Sequence, residues 1–600
     1  MLVAGVDIGN NTVEVALAEV SENTTVFISS GIASTTGVKG TTSNITGIKI
    51  ALSDALKKAG IDIKELNLIR INEATPVISD MAMETITETI ITESTMIGHN
   101  PSTPGGRGLG VGKTTLIFHL DKVKPGEKTI VIVPQNVDFE DAAAIINAAV
   151  SKGVQVEGAV VQKDDGVLIS NRLKKKVPIV DEVAYIDKVP LEMLAAVEVA
   201  EQGYTIKTLS NPYGIATVFN LSPEETKNIV PVARALIGNR SAVVIRTPAG
   251  DVQERRIPAG SLVLFGEKGR TTVDLDEGAK RVMEELERIY PLQDAQGTSG
   301  TNVGGLLAKI RSTMADLTGQ KPDSIKIQDI LAVDTLVQQK VKGGLANEFF
   351  SEDAVGMAAM VKSSRLPMEK VAKKIEEELS VPVHIAGVEA NMAIKGALTT
   401  PGTAKPLAVL DLGGGSVDAA YLGADGKVRT VHMAGAGDMV NMLMGAELGI
   451  TDKVLLEDLK CNPLAKVESM FSIRLEDETV KFFDSPLDPQ LFARVVILKE
   501  DEMIPLPGNL KLEKIRAARR DAKRKVFVTN AMRALKQVAP AGNIRLLDFV
   551  VLLGGSALDF EIPEMISDAL ANYGVVAGRG NIRGKEGPRN AVATGLVLNR

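Results

Sequence analysis

Two glycine-rich turns in this sequence each come shortly after an aspartate at the end of an apolar segment. Asp7 precedes the turn Gly9–Thr12, and Asp411 precedes the turn Gly413–Ser416. Turns of Gly, Asn, Ser and Thr expose backbone N–H groups that bind phosphate, and glycine lets the backbone come close because it has no Cβ. A carboxylate repels a phosphate unless a divalent cation lies between them. The two turns therefore predict a magnesium–phosphate site that uses Asp7 and Asp411.

A third turn, Gly554–Ser556, follows the apolar segment Phe549–Leu553 and precedes a helical pattern near Pro563. In this order, the turns predict two facing phosphate-binding hairpins and a third turn beside the adenosine of Mg-ATP or ADP. The alternative is an ordinary sheet protein with three unrelated turns. The nucleotide contacts predicted from the turns are Asn10, Asn11, Thr12, Gly413, Gly414, Gly415, Ser416, Gly555 and Ser556.

The segments that carry the two aspartates have the pattern of β-hairpins. The apolar runs Leu2–Ile8 and Leu407–Leu412 are each followed, after the turn, by residues that alternate between apolar and other side chains. Two similar units predict an α/β fold with two related lobes. The long sequence between them predicts an insertion.

The inserted sequence divides at residues 98–106, which are rich in Gly and Pro. Strand-like runs at Thr129–Val133 and Val154–Val161, with a helix-like run at Phe139–Val150, predict a small α/β domain. Residues 275–380 are predicted to be mostly helical, with helices over Glu277–Ile289 and Met368–Leu379. The predicted divisions are residues 1–92 and 381–600 for the two parts of the main domain, 93–255 for the insertion and 256–380 for the mostly helical segment.

Composition and charge exclude several classes of protein. The net charge of −7 argues against a nucleic-acid binder, and a single cysteine excludes an intrachain disulfide or an iron–sulfur cluster built by one chain. No apolar run reaches 18 residues and the N-terminus lacks a signal-peptide pattern, so we expect neither a membrane span nor export. These features are typical of a cytoplasmic globular protein.

The three turns resemble the phosphate-1, phosphate-2 and adenosine motifs of the actin, sugar-kinase and heat-shock-chaperone ATPases. They read DIGNNT from Asp7, DLGGGS from Asp411 and LGGS from Leu553. This similarity implies an actin-like (ribonuclease H-like) two-lobed fold.

Longer segments are similar to the large subunit of diol and glycerol dehydratase reactivases. They include residues 83–101, 210–231, 233–243, 396–402, 463–469 and 580–596. The resemblance implies a chaperone-like ATPase that releases damaged cobalamin from a coenzyme-B12-dependent dehydratase, so that intact cofactor can rebind. It also implies a small partner subunit in a heterotetramer, with a bacterial microcompartment as an open question.

The same resemblance implies further site residues. Nucleotide contacts carry over to Glu457, Lys460 and Arg589, in addition to the turns. A metal site in the inserted domain, near the small subunit, carries over to Thr103, Asp164 and Asp181, whose oxygen ligands suit Mg²⁺ or Ca²⁺.

Other signals favour structural roles. Gly108–Thr114 lacks the first glycine and the preceding strand of a P-loop. The basic segment Leu512–Lys525 is predicted to be a helix that buries Leu512, Ile515 and Ala518 and keeps its cations in solvent. The four histidines show no metal-ligand spacing.

Three other functions compete with reactivation. A small-molecule kinase of the same superfamily would need a catalytic carboxylate for a substrate hydroxyl, and none can be assigned. An electron-transferring activator would need several thiolates, and a dimer of this chain supplies only two. A binding scaffold that keeps nucleotide for its shape would show slow or absent turnover.

Overall fold

The computed structural model divides the chain into two compact units. It describes residues 1–73, 77–83, 86–91, 96–99, 105–201, 203–246, 252–318, 320–340, 349–362, 366–500, 502–507 and 510–599. The first unit comprises Met1–Glu84, Pro258–Val337 and Asp353–Arg600, and the second comprises Thr85–Ile257 and Gln338–Glu352. Within the described residues, no helix has both the length and the apolar character needed to cross a bilayer.

Two five-stranded sheets in the first unit share one topology. In each sheet, a three-stranded antiparallel meander continues into two parallel strands. In spatial order, the first sheet contains Thr25–Ser34, Thr12–Val20, Leu2–Ile8, Leu68–Glu73 and Val383–Val388. The second contains Val428–Ala434, Ser416–Leu422, Leu407–Leu412, Phe549–Leu553 and Val576–Arg579. This duplication confirms the predicted two-lobed, actin-like α/β fold.

Helices cover these sheets and bury their apolar faces. A helix follows the last strand of each sheet: Glu389–Ala397 in one lobe and Ala591–Leu598 in the other. The other helices of this unit are Ile45–Ala59, Gly278–Ile289, Asn302–Thr318, Leu366–Leu379, Gly437–Leu448, Lys453–Cys461, Leu512–Lys523, Thr529–Val538 and Ile562–Ala571. A π-helical turn at Arg524–Val528 joins two of them.

The prediction that residues 256–380 are mostly helical is wrong. The two predicted helices exist, but the segment also contains the strands Ser261–Gly266, Gly269–Asp274, Leu292–Gly297, Lys326–Lys340 and Phe349–Lys362. Along Lys326–Lys340, Leu331 and Val333 enter one hydrophobic core, whereas Ile330 and Ala332 enter another. A strand buried on both faces loses the alternation of apolar and polar residues, so its sequence resembles a buried helix.

The basic segment Leu512–Lys525 also departs from its prediction. It forms the expected helix and buries Leu512, Ile515 and Ala518, but two of its cations are fully buried as well. Arg519 Nε donates to Glu561 Oε2 over 2.9 Å, and Lys523 Nζ donates to Asp559 Oδ2 over 2.8 Å. A buried cation is tolerated when carboxylates compensate for its lost hydration. These carboxylates lie after the third glycine turn, so the helix supports that turn.

A further five-stranded sheet of the first unit lies between residues 464 and 505. Its strands, in spatial order, are Val480–Phe482, Ser472–Leu475, Leu464–Ser469, Val495–Lys499 and Glu502–Pro505. Its sequence neighbour on the N-terminal side is helix Lys453–Cys461, which carries two predicted nucleotide contacts. Lys499 Nζ, at the end of strand Val495–Lys499, donates to Asp458 Oδ1 of that helix over 2.8 Å and so links the sheet to it.

The second unit is built on a seven-stranded mixed sheet. Its strands, in spatial order, are Ile179–Val180, Gln155–Val161, Lys128–Val133, Gly108–Leu116, Leu194–Val199, Ser241–Ile245 and Met96–His99. Its helices are Phe139–Ser151, Gly166–Arg172, Pro212–Phe219 and Pro223–Ala235, and Ile86–Ile91 pairs with Val252–Ile257. The predicted strands and helix of the small α/β domain are confirmed. Gly108–Thr114 lies within a strand, which agrees with its rejection as a P-loop.

Candidate nucleotide-binding site

The two aspartate-bearing hairpins have the same local geometry. Gly9 N donates to Thr12 O over 3.0 Å, and Gly413 N donates to Ser416 O over 3.1 Å. Asp7 lies opposite Glu14 in the first hairpin, just as Asp411 lies opposite Asp418 in the second. Each lobe therefore presents one aspartate and one turn rich in backbone N–H groups.

The two turns face each other closely. A Cβ atom at Gly415 would lie 2.3 Å from Asn10 Nδ2, and one at Gly414 would lie 2.9 Å from Asn11 Cγ. Asn10 Nδ2 also donates to Asp438 Oδ2 over 3.0 Å, and the Asp438 backbone N–H donates to Gly414 O. Glycine in the second turn leaves room for these two side chains, which would have to move if Gly414 or Gly415 carried a Cβ. Both turns line one cavity of about 340 Å³.

Acidic side chains crowd one wall of this cavity. Burial raises the pKa of Asp7 well above its ordinary value, and the Glu389 charge raises it further while Lys39 opposes the shift. Burial likewise raises the pKa of Asp411, with additional contributions from Glu389 and Asp418. Desolvated, like-charged carboxylates are stabilised by a cation. The oxygen donors of Asp7 and Asp411 therefore fit a divalent ion beside the phosphate turns.

Lys39 and Glu389 are site residues that the sequence analysis missed. Lys39 Nζ lies 2.7 Å from Glu389 Oε2, and both line the cavity. Asn72 Nδ2 donates to Asp7 Oδ1 over 2.8 Å, while Asn72 Oδ1 accepts from Ile8 N, so this amide fixes the first aspartate. In the sequence, Lys39 is a single lysine within a segment rich in Gly and Thr, and this pattern does not indicate that it pairs with Glu389.

The third turn packs against the second. Gly554 has φ of +84°, and a Cβ there would lie 2.4 Å from Asp411 Oδ1. Ser556 Oγ donates to Gly413 O over 3.1 Å. Arg589 Nη2 lies 3.3 Å from the position of a Cβ at Gly555, and Arg589 Nη1 donates to Glu14 Oε1 over 2.8 Å. The third turn and Arg589 therefore line the same cavity as the two hairpins.

Helix Lys453–Cys461 brings Glu457 and Lys460 to the cavity on one face. Lys460 Nζ donates to Glu457 Oε2 over 2.7 Å, and Asn441 Nδ2 donates to the same oxygen over 2.6 Å. Burial alone would raise the pKa of Glu457, but Lys460 and Asn441 lower it below its ordinary value. Glu457 is therefore an ionised hydrogen-bond acceptor beside a buried ammonium group.

The candidate metal ligands of the second unit form a less complete set. Asp181 is fully buried; its Oδ2 accepts from Gly166 N over 2.8 Å, and its Oδ1 has no hydrogen-bond partner among the described residues. Burial, with the Asp164 charge, raises the pKa of Asp181 to about 7. Thr103 lies outside the described residues, which contain no cluster of three His, Cys, Asp or Glu metal ligands. The unpaired Oδ1 nevertheless fits a cation with oxygen ligands.

Comparison with known proteins assigns the family. Residues 273–600 match the model of the diol dehydratase reactivase ATPase-like domain, and residues 91–252 match that of the DD-reactivating factor swiveling domain. The chain belongs to the diol dehydratase reactivase family. It is 58% identical to a diol dehydratase-reactivating factor large subunit from Klebsiella michiganensis and to a propanediol dehydratase-reactivating factor large subunit from Salmonella typhimurium. Each match covers 100% of this chain and 98% of the relative.

Two solved structures of reactivases match over the whole chain. A glycerol dehydratase reactivase has 56% sequence identity and a TM-score of 0.78, and a nucleotide-free diol dehydratase-reactivating factor has 58% identity and a TM-score of 0.79. Both matches cover 100% of this chain and 99% of the other. The ATPase-like fold of this family is therefore the fold of this protein.

In this family member, the predicted nucleotide residues converge. The same cavity is lined by the three turns and by Asp7, Asp411, Glu457, Lys460 and Arg589. Of the predicted metal ligands, Asp181 lies beside Gly166, at the start of helix Gly166–Arg172, and Asp164 lies just before that helix. The roles of these residues remain predictions, to which Lys39 and Glu389 are added.

Proposed function

We propose that this protein is the ATP-hydrolysing large subunit of a reactivating factor for a coenzyme-B12-dependent diol or glycerol dehydratase. The observation that carries the proposal is the cavity in which two opposed glycine turns and two buried aspartates meet. Full-length similarity to proteins named reactivating factors supports the client class.

Within the cavity, each turn has a distinct task. The backbone N–H groups of Asn11, Thr12, Gly414 and Gly415 bind the phosphates, and the turn at Gly555 approaches the adenosine. Asp7 and Asp411 hold Mg²⁺ directly or through water, and the ion supplies charge neutralisation at the phosphates. Lys39 balances the surrounding carboxylates, and Lys460 with Glu457 orients the nucleoside end.

Hydrolysis is coupled to partner exchange in this proposal. The two lobes close on ATP and relax after hydrolysis, because both turns bind the same phosphate chain. That change alters the affinity of the inserted domain for a small subunit, with which the protein forms a heterotetramer. In the inserted domain, Thr103, Asp164 and Asp181 are the proposed ligands of a Mg²⁺ or Ca²⁺ ion. Damaged cobalamin then leaves the dehydratase and intact adenosylcobalamin rebinds. The proposed location is the cytoplasm, and association with a bacterial microcompartment stays an open question.

The comparisons favour reactivation over a small-molecule kinase, because the full-length relatives are named reactivating factors. Glycerol-inactivated dehydratase, incubated with this protein, the small subunit, adenosylcobalamin and Mg²⁺, should regain activity only when ATP is present. Asp411→Ala should bind the small subunit normally but restore no activity. Recovery without ATP, or with Asp411→Ala at the wild-type rate, would contradict the proposal.

A further inference from the structure

Three ionisable side chains form a row across the sheet of the second lobe. Asp411, Asp418 and His432 occupy directly paired positions on the strands Leu407–Leu412, Ser416–Leu422 and Val428–Ala434. Directly paired residues project from the same face of a sheet. The row therefore begins at the cavity with Asp411 and continues behind the phosphate turn to His432.

Hydrogen bonds connect this row to the turn itself. His432 Nδ1 lies 2.9 Å from Asp418 Oδ1, where it donates to the carboxylate. Ser416 Oγ donates to the other oxygen, Asp418 Oδ2, over 3.3 Å. Asp418 is 3% exposed, so its two oxygens are held by His432 and Ser416 rather than by bulk water. Burial alone would lower the pKa of His432, but the Asp418 charge raises it, which favours a histidine that keeps its Nδ1 proton.

The first lobe provides an internal comparison. Its equivalent row is Asp7, Glu14 and Ile32. Glu14 accepts from Arg589 Nη1 over 2.8 Å and from Asn590 N over 2.6 Å, so its carboxylate is held by a loop outside the sheet. An isoleucine at the third position is thus compatible with this sheet topology. His432 is therefore not required to build the sheet and serves the carboxylate beside it.

Among the hydrogen-bonded side chains of His432, Asp418 and Ser416, it is Ser416 that lines the cavity. It lines the cavity, whereas its proton is directed away, toward Asp418. A hydroxyl that donates in one direction presents its oxygen lone pairs in the other directions. Ser416 Oγ can therefore accept a hydrogen bond from a water molecule at the phosphate turn.

We propose that His432 and Asp418 are positioning residues that hold the Ser416 hydroxyl so that it orients the water that attacks ATP. This inference rests on the proposed ATP hydrolysis. The water oxygen bonds to the terminal phosphorus, the bond from that phosphorus to the bridging oxygen breaks, and the electron pair leaves with ADP. Both water protons end on the released dihydrogen phosphate. Such a step depends mainly on positioning the water and needs little proton abstraction in the transition state.

The decisive variant is His432→Ile, which installs the residue found at the equivalent position of the first lobe. We expect kcat for ATP hydrolysis to fall about 10- to 100-fold, the range found when a hydrogen-bond partner that orients a metal ligand is removed, with an unchanged Kd for Mg-ADP. His432→Gln keeps a donor for Asp418 and should recover part of the loss. His384→Ile makes the same substitution at an exposed strand position of the first lobe and should leave kcat unchanged.

A double-mutant cycle tests whether His432 acts through Ser416. In a Ser416→Ala background, His432→Ile should cause no further loss of kcat, because the hydroxyl that it positions is gone. Additive losses, an equal loss of Mg-ADP affinity, or wild-type turnover of His432→Ile would each overturn the inference while leaving ATP hydrolysis intact. A wild-type protein that binds Mg-ATP but never hydrolyses it would overturn both this inference and the proposed function.

Discussion

Lys39 and Glu389 form a buried ion pair, with Nζ and Oε2 2.7 Å apart and side chains that are 4% and 14% exposed. Lys39 belongs to a loop that follows the first meander, whereas Glu389 begins the helix after the last strand of the same sheet. Burial alone would lower the pKa of Lys39, but Glu389 and Asp7 raise it. The pair therefore sets the charge balance around Asp7.

Removing Lys39 should destabilise the first unit. Lys39→Met leaves Glu389 buried without its cation, and breaking a buried pair typically costs about 3–5 kcal/mol. We expect a lower midpoint for the thermal unfolding of this unit, followed by circular dichroism. Adding Glu389→Gln to Lys39→Met should restore most of the loss.

The chain offers a matched control on its surface. Lys49 Nζ lies 2.8 Å from Glu378 Oε2, but these side chains are 46% and 34% exposed. Lys49→Met should change stability by less than about 1 kcal/mol. Equal effects of Lys39→Met and Lys49→Met would show that burial does not determine the contribution of the internal pair.

Nucleotide binding should release protons. The raised pKa values of Asp7 and Asp411 mean that these groups retain protons to a higher pH than ordinary aspartates, and bound Mg²⁺ displaces those protons. Affinity for Mg-ADP should therefore weaken as the pH falls through these raised pKa values. Calorimetry in two buffers with different ionisation enthalpies measures the release. Asp411→Asn, which has no proton to release, should show less of it, and an unchanged release would contradict the assignment.

Local sequence patterns predicted the parts of the site that lie on one strand and turn. Asp7 and Asp411 are fixed by hairpins whose alternation and glycines are contiguous in the sequence. Lys39 could not be assigned in this way, because its partner Glu389 is distant in sequence and only the fold joins them. Sequence patterns describe which face of an element is apolar, but not which charged groups a distant element brings to it.

Burial in the tertiary structure also explains two elements that differ from their sequence predictions. The sequence predicted Arg519 and Lys523 to be solvent-exposed cations. Their buried partners, Glu561 and Asp559, lie on a different segment of the chain, so the local pattern does not reveal them. Lys326–Lys340 looked helical because alternate side chains enter two separate cores. In both cases, the tertiary environment overrides the pattern that a single exposed face would have produced.

Asp181 should make the stability of the second unit depend on pH. Its pKa of about 7 lies above the ordinary value of 3.8, so the folded state binds its proton more strongly than the unfolded state does. The stabilisation is complete below pH 3.8 and is lost as the pH rises to about 7, by at most about 4 kcal/mol. Differential scanning calorimetry after EDTA treatment measures this loss.

Two further measurements isolate the carboxylate. Asp181→Asn should flatten the fall in stability between these pH values, and Ca²⁺ or Mg²⁺ should raise the wild-type unfolding temperature above pH 7 without affecting this variant. Asp187→Asn changes another aspartate of the same unit and should behave like wild type. A wild-type profile that is as flat as that of Asp181→Asn would contradict the raised pKa.

Gly396 and Gly595 allow two helices of the first unit to pack closely against each other. A Cβ at Gly595 would lie 1.9 Å from Met392 O, and one at Gly396 would lie 1.9 Å from Ala591 O. The helices that follow the two duplicated sheets thus meet backbone to backbone, and each glycine makes room for the other helix. Gly595→Ala should destabilise the first unit by about 1–3 kcal/mol, because the helices must separate to accept the methyl group.

Gly305→Ala is the control, since Gly305 is also helical but a Cβ there would meet nothing within 4 Å. It should be neutral or stabilising by up to about 1 kcal/mol, as expected for alanine in an open helical position. If both variants unfold at the wild-type temperature, the close crossing does not limit how the two helices pack; if only Gly595→Ala is destabilised, the crossing fixes their separation.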